Sequence, residues 1–224
     1  MQPIKIFIGY DEREDIASRV CEYSIRSRTN AEVEITFLKS KDIVEYNRII
    51  KEPQSTDFTF TRFWVPYLSG YKDVSIFVDC DFIFLSDISE LIQASDITTP
   101  VSVCKIPHYK PISDTKMDGV KQHTSYRKNW ASLMVFQNEL CKNLTPEYLN
   151  NEIPGINLHQ FKWTDHIGEL PLEWNTLDGY HLYDSPKAIH YTDGGPWFPE
   201  YHNTQYSKLW LNELKKYHDQ LCVS

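Results

Sequence analysis

The sequence predicts an α/β fold in which a mostly parallel sheet is flanked by helices. Two observations carry that prediction. The chain opens as strand, helix, strand: residues 5–10 read as a strand, apolar from Ile6 and ending at Gly9, residues 16–28 have helical spacing, and residues 34–38 read as a strand again. A crossover of that kind implies parallel neighbours with a helix lying on the sheet face. Further on, Val74–Val78 is a short run rich in β-branched and aromatic residues, the pattern of a fully buried strand.

Asp11 follows the first strand and is placed to cap the helix, whose inward face reads as Ile16, Val20 and Tyr23 with Ser24 and Ser27 beside them. Residues 58–68 read as a second helix, with Pro66 tolerable near its end. Arg62 stands among its apolar residues. It either packs its stem and sends its head to solvent, or faces an acidic or phosphate partner at the strand edge. Residues 101–106 and 129–136 add strands, the second opening on Trp130, Ala131 and Ser132. The small pair leaves room for a ligand on which Trp130 can stack. Between these strands, residues 107–128 are polar and irregular, as in a lid or acceptor-facing loop. Residues 140–149 read as a short helix. Asp165 and Asn175 are polar groups near Trp163 and Trp174. A late strand ends at His190, before Gly194 and Gly195, whose backbone can approach a phosphate closely. Residues 205–221 form an amphipathic helix with Leu209, Leu211 or Trp210, Leu214 and Tyr217 inward.

The chemistry concentrates at Val78-Asp-Cys-Asp81. Along an extended chain Asp79 and Asp81 point to one side, and no Lys or Arg stands beside them in sequence. Close carboxylates repel, and Mn²⁺ or Mg²⁺ with a bound phosphate relieves that repulsion. Alternatively the pair caps a strand-to-helix junction, as Asp87 would before Ile88. Cys80 between them reads as a small buried filler. Ligands of parallel sheets bind beyond the strand C-termini, so Gly9, Tyr10 and Asp11 fall on the same edge as residues 79–81. No G-x-G-x-x-G is present, which argues against a redox dinucleotide.

Composition narrows the partners. A net charge of −8 argues against nucleic acid or an anionic membrane surface. No apolar run reaches the roughly 18 residues of a membrane span. A strand beginning at Ile4 leaves no room for a signal peptide, and five scattered cysteines without a C-x-x-C pair suit a reducing compartment. A cytoplasmic location is therefore expected. The 14% aromatic content, much of it beside Gly, Pro, Asp or His in the second half, suits stacking on sugars or bases.

The opening unit, the Arg62-bearing segment, Val78-Asp-Cys-Asp81 and the late His190 before a glycine turn together resemble glycosyltransferase family 8 and its bacterial and viral relatives, across nearly the whole chain. The resemblance implies a GT-A fold, a Rossmann-like α/β domain, over residues 1–224. Residues 1–106 would be the nucleotide-binding half, 107–204 the acceptor-facing half and 205–224 a terminal helix. It implies transfer of a hexose-type sugar from a nucleoside diphosphate sugar, UDP expected, to a hydroxyl of a saccharide or glycoconjugate, with retention. Asp79, Asp81 and His190 would ligate Mn²⁺ or Mg²⁺. Gly9, Tyr10, Asp11 and Arg13 would lie against the base and ribose, and Arg62, Asp79, Cys80 and Asn175 against the donor. Trp130, Ala131 and Ser132 would line the sugar pocket, with Gly194, Gly195 and Trp197 by the diphosphate. Asp165 and Arg62 are the catalytic candidates, Asp165 as the base that an inverting reaction would need. The family commonly shows His-x-x-Gly-x-x-Lys-Pro-Trp where this chain has His190-Tyr-Thr-Asp-Gly-Gly-Pro-Trp197, without the lysine. Rival readings are a non-catalytic carbohydrate-binding protein on the same scaffold, and a metal-dependent phosphohydrolase, which needs more clustered carboxylates.

Overall fold

The apolar runs pair with one another into one large sheet and one small one. A computed structural model describes residues 2–107, 111, 115–116, 119–121, 126–180 and 183–222. The strands are β1 (Ile4–Gly9), β2 (Val33–Leu38), β3 (Val74–Val78), β4 (Phe82–Phe84), β5 (Val101–Val103), β6 (Thr115–Lys116), β7 (Val120–Lys121), β8 (Leu133–Gln137), β9 (Ile167–Glu169), β10 (Thr176–Leu177) and β11 (Ala188–His190). The helices are α1 (Asp15–Arg26), α2 (Val65–Leu68), α3 (Ser89–Ala94), α4 (Gly155–His159) and α5 (Ser207–Leu221). The six-stranded sheet has the order β2-β1-β3-β8-β5-β9, a second sheet has β10-β11-β4, and β6 and β7 pair antiparallel.

Every strand of the large sheet except β8 runs in one direction. The sheet is thus mostly parallel, as the β-α-β opening requires. The reversed β8 has a local consequence. Val78, where β3 ends, lies opposite Leu133, where β8 begins, and the Asp79 N–H continues the ladder to the Ser132 carbonyl at 2.8 Å. The chain then turns through Cys80 and Asp81 and enters the small sheet as β4, where Phe82 lies opposite His190 of β11. The two aspartates therefore sit at the joint between the sheets.

Packing follows from strand periodicity. Ile6, Ile8, Ile76, Val78, Met134 and Phe136 are buried within one large core. Ile83, Ile189 and Tyr191 point instead into a smaller cluster under α1 and α5, with Val20 and Trp210. On α1 the buried face comprises Ala17, Ser18, Val20, Cys21, Ser24 and Ile25, while Ser27 is exposed. The small residues Ala17, Ser18 and Cys21, easily passed over in a hydrophobicity pattern, let the helix lie close. On α5, Trp210 is buried and Leu214 and Tyr217 pack beside it, but Leu209 and Leu211 are 38% and 42% exposed.

Three segments differ from the sequence expectation. Residues 58–68 are a turn, a 3-10 stretch Thr61–Trp64 and then α2, because Pro66 has no N–H and fits only a first helical turn. Residues 129–132 are not strand; Trp130–Ser132 is a 3-10 turn entered through Asn129 at φ 64°. Residues 140–149 are not one helix: a 3-10 turn Asn138–Leu140 is followed by a wide π-type turn Tyr148–Glu152. Pro146 between them can start a helix but not continue one. Residues 107–128, read as a lid, lie mostly outside the described residues.

Candidate active site

Asp79, Asp81 and His190 meet where the chain changes sheets. One ligand atom from each lies within 4.8 Å of the others. The cause is the β4–β11 pairing: His190 is opposite Phe82, and the Tyr191 N–H donates to the Asp81 carbonyl at 2.9 Å. His190 Nε2 stands 3.4 Å from Asp81 Oδ1. The imidazole is buried and stacked on Phe82, with ring centroids 4.3 Å apart and planes 17° apart. An unprotonated Nε2 facing a carboxylate oxygen sets two lone pairs against each other, an arrangement relieved by a proton or by a cation between them. Two carboxylates and an imidazole are a donor set that suits a divalent transition ion.

The acidic pair is not without a basic neighbour, contrary to the local sequence. Arg62 Nη1 lies 2.8 Å from Asp79 Oδ1 and donates to the Ala131 carbonyl at 2.7 Å, while its Nε donates to the Phe58 carbonyl at 3.4 Å. The guanidinium stands over the rings of Phe58 and Phe77, at 5.2 and 5.1 Å. Arg62 thus offsets part of the charge of the pair and ties Asp79 to the turn before β8. His159 supports the same segment: its Nε2 donates to the Thr59 carbonyl at 3.0 Å, and burial, with Arg62 nearby, pushes its pKa down. On the other side, Asn175 Oδ1 meets His190 Nδ1 at 2.9 Å. Such a partner orients a metal-ligating histidine.

Other expected site residues have definite local reasons. Tyr10 donates to Asp15 at 2.9 Å and carries the Lys39 ammonium 4.3 Å from its ring centre. Asp11 accepts from Arg13 Nη2 at 2.7 Å and from the Asp57 N–H at 3.1 Å, and Arg13 also reaches the Ser55 carbonyl. Gly9 makes room for Phe58, whose ring lies 2.5 Å from where a Cβ would be. Cys80 is buried and its thiol is pushed far up by burial, so it is no nucleophile. Trp130 donates Nε1 to the Ile106 carbonyl at 3.2 Å and lies near Phe161 and Arg127. Gly194 has φ 125°, and Gly195 lies so close to the Trp197 ring that an added Cβ would sit 1.9 Å from it. Trp197 packs on Tyr191 and Trp210, anchoring the glycine turn to α5.

Asp165 is not brought to this site. It is exposed and precedes β9, whose first residue Ile167 pairs with Val101, at the sheet edge where β3 begins and not where it ends. A strand parallel to β3 enters at that far edge. Two residues absent from the expected set do belong here. Asn129 accepts at its carbonyl from Ser132 Oγ (2.7 Å) and Asn175 Nδ2 (3.2 Å), and Thr192 Oγ1 donates to Asn129 Oδ1 at 3.2 Å. The one sequence signal was Asn itself, a residue that tolerates positive φ.

This architecture defines a GT-A fold, and solved glycosyltransferases share it. The bifunctional glycosyltransferase WbbM superimposes with a TM-score of 0.64 at 15% identity, over 95% of this chain and 49% of that one. GlyE of Streptococcus pneumoniae gives 0.61 at 14% identity over 95% and 61%. The galactosyltransferase LgtC, solved with donor and acceptor sugar analogues, gives 0.59 at 10% identity over 95% and 96%. The chain therefore spans about half of WbbM and three fifths of GlyE. No family model matches the sequence. It is 40% identical to Protein CDI of Arabidopsis thaliana over 232 residues, covering 98% of this chain and 89% of the relative, and it belongs to the Protein CDI family.

Proposed function

We propose that the chain is a metal-dependent glycosyltransferase of the family 8 type, moving a hexose-type sugar from a nucleoside diphosphate sugar, UDP foremost, to a saccharide or glycoconjugate hydroxyl. The observation that carries this reading is the Asp79–Asp81–His190 cluster at the strand ends of a GT-A fold. One imidazole among the ligands favours Mn²⁺ over Mg²⁺, which prefers oxygen alone.

When bound, such an ion supplies Lewis-acid stabilisation of the charge growing on the departing diphosphate. The chain's own residues do the rest. Arg62 holds Asp79 and adds fixed positive charge; the glycine turn at 194–195 is buried against Trp197, with the Gly194 N–H donated to the Tyr191 carbonyl, and serves to hold β11 and His190 in place. Asp165 is exposed at the far sheet edge, away from the Asp79–Asp81–His190 cluster, and this distance from the one carboxylate considered as an inverting base favours retention. In this reading residues 1–106 hold the nucleotide while 107–204 face the acceptor and lend His190 and Asn175 to the site. Among the described residues, this is the sole cluster of metal-ligating side chains, which disfavours a two-metal phosphohydrolase.

The test is a thermal-shift panel of UDP, GDP, CDP and dTDP, each with and without Mn²⁺, on wild type and Asp81→Ala. A Mn²⁺-dependent rise with one nucleotide, lost in the variant, is expected. Sugar binding insensitive to EDTA and to Asp81→Ala, with no nucleotide shift, would replace this reading with a non-catalytic carbohydrate-binding protein.

A further inference from the structure

We propose that Asn129 is a positioning residue: its left-handed backbone aims a carbonyl that orients the Asn175 amide, and through it fixes His190 as the Nδ1–H tautomer with Nε2 turned to Asp81. The metal-affinity part rests on the function proposed above; the tautomer part does not.

The inference starts from hydrogen-bond polarity. Ser132 Oγ is 2.7 Å from the Asn129 carbonyl, so its hydrogen is committed there and its oxygen faces the amide of Asn175, 2.9 Å away, as an acceptor. The Asn129 carbonyl is a second acceptor, 3.2 Å from the same amide end. Both neighbours of that end accept, so it must be the NH₂; a flipped amide would set three oxygens together. The opposite end is then Oδ1, and it stands 2.9 Å from His190 Nδ1. An oxygen there requires a hydrogen on Nδ1. The buried ring, stacked on Phe82, has no room to turn over. Nε2 is left facing Asp81 with the lone pair that a metal ion takes.

What sets the first link is the conformation of residue 129. At φ 64° and ψ 5° its carbonyl points back over the turn toward Asn175. Few side chains tolerate that region; Asn does, and Gly does so freely. Its amide side chain adds a tie to Thr192, two residues beyond His190. The working part is thus the backbone direction, and the side chain is the residue type that permits it.

The experiment uses metal-free protein labelled with ¹⁵N and long-range ¹H–¹⁵N spectra of the His190 ring, assigned by its loss in His190→Gln. The wild type is expected to show Nδ1–H. Asn129→Gly keeps the backbone direction and should keep that tautomer and a Mn²⁺ affinity within about twofold. Asn129→Ala strains it and should yield mixed tautomers with roughly tenfold weaker Mn²⁺ binding, near the loss in Asn175→Leu. A wild-type ring that carries its hydrogen on Nε2 and none on Nδ1 overturns the proposal. So does Asn129→Gly losing the tautomer, or a folded Asn129→Ala that keeps both tautomer and affinity. Should Asn129→Ala not fold, the wild type and Asn129→Gly decide. If the wild type binds no Mn²⁺, the metal reading fails while the spectra still judge Asn129.

Discussion

Arg62 and Asp79 are held together by more than charge. The guanidinium serves Asp79 and the Ala131 carbonyl at once, and both side chains are largely buried. Removing one partner of such a pair leaves the other charge uncompensated. Arg62→Met is therefore expected to cost about 3 kcal/mol in urea denaturation, at the low end for a broken buried pair. Arg62→Lys should recover little, since a single ammonium does not reproduce the fork. The aspartates and His190 were legible because each follows an apolar run that announces a buried strand. Arg62 could be noticed but not assigned, because no periodicity relates residue 62 to residue 79. Asn129 was hidden for a different reason: its role resides in one backbone angle, which leaves no pattern in composition.

Elements show the same division between pattern and context. Strands read clearly where they were apolar runs, while residues 140–149 misled because the apolar spacing ignored what Pro146 forbids. Leu209 and Leu211 suggested a core face on α5, yet Trp210 and its smaller cluster took that side. Trp210→Ala should lower stability by about 3–5 kcal/mol, as expected for a buried aromatic, and is checked by thermal or urea unfolding. The glycine turn is constrained by Trp197: Gly195→Ala would force the ring or the loop aside. A loss of about 1–3 kcal/mol is expected, together with weaker nucleotide binding, since the turn follows directly on β11, which carries His190.

For the whole molecule, pH acts through groups whose proton affinity changes on folding. Burial holds His159 below the ordinary value, so the unfolded chain takes up the proton first and stability falls as pH drops below about 6.5. Glu213 behaves differently in origin. Burial raises its carboxyl, but hydrogen bonds from Arg28 and Lys216 outweigh that and lower it overall. Its contribution, a clip between the end of α1 and α5, is present above about 4.3 and lost as pH falls through the folded value. His159→Gln should flatten the upper limb of the acid stability curve and Glu213→Gln the lower, each read by urea midpoints across pH. The sheet's direction was legible from the β-α-β opening. The reversal of β8 was not, because the irregular residues 107–128 precede it and say nothing of direction; the misplacement of Asp165 has a like cause, since the strand it precedes gave no sign of which edge it enters. That reversal carries a final consequence. β3 pairs with β8, and β4 pairs with β11, so each half of the chain templates the other across the joint that holds Asp79, Asp81 and His190. Two separately expressed pieces divided within residues 107–128 should each fail to retain Mn²⁺. Mixed, they should reconstitute one binding unit, detectable by co-purification and by recovered metal uptake.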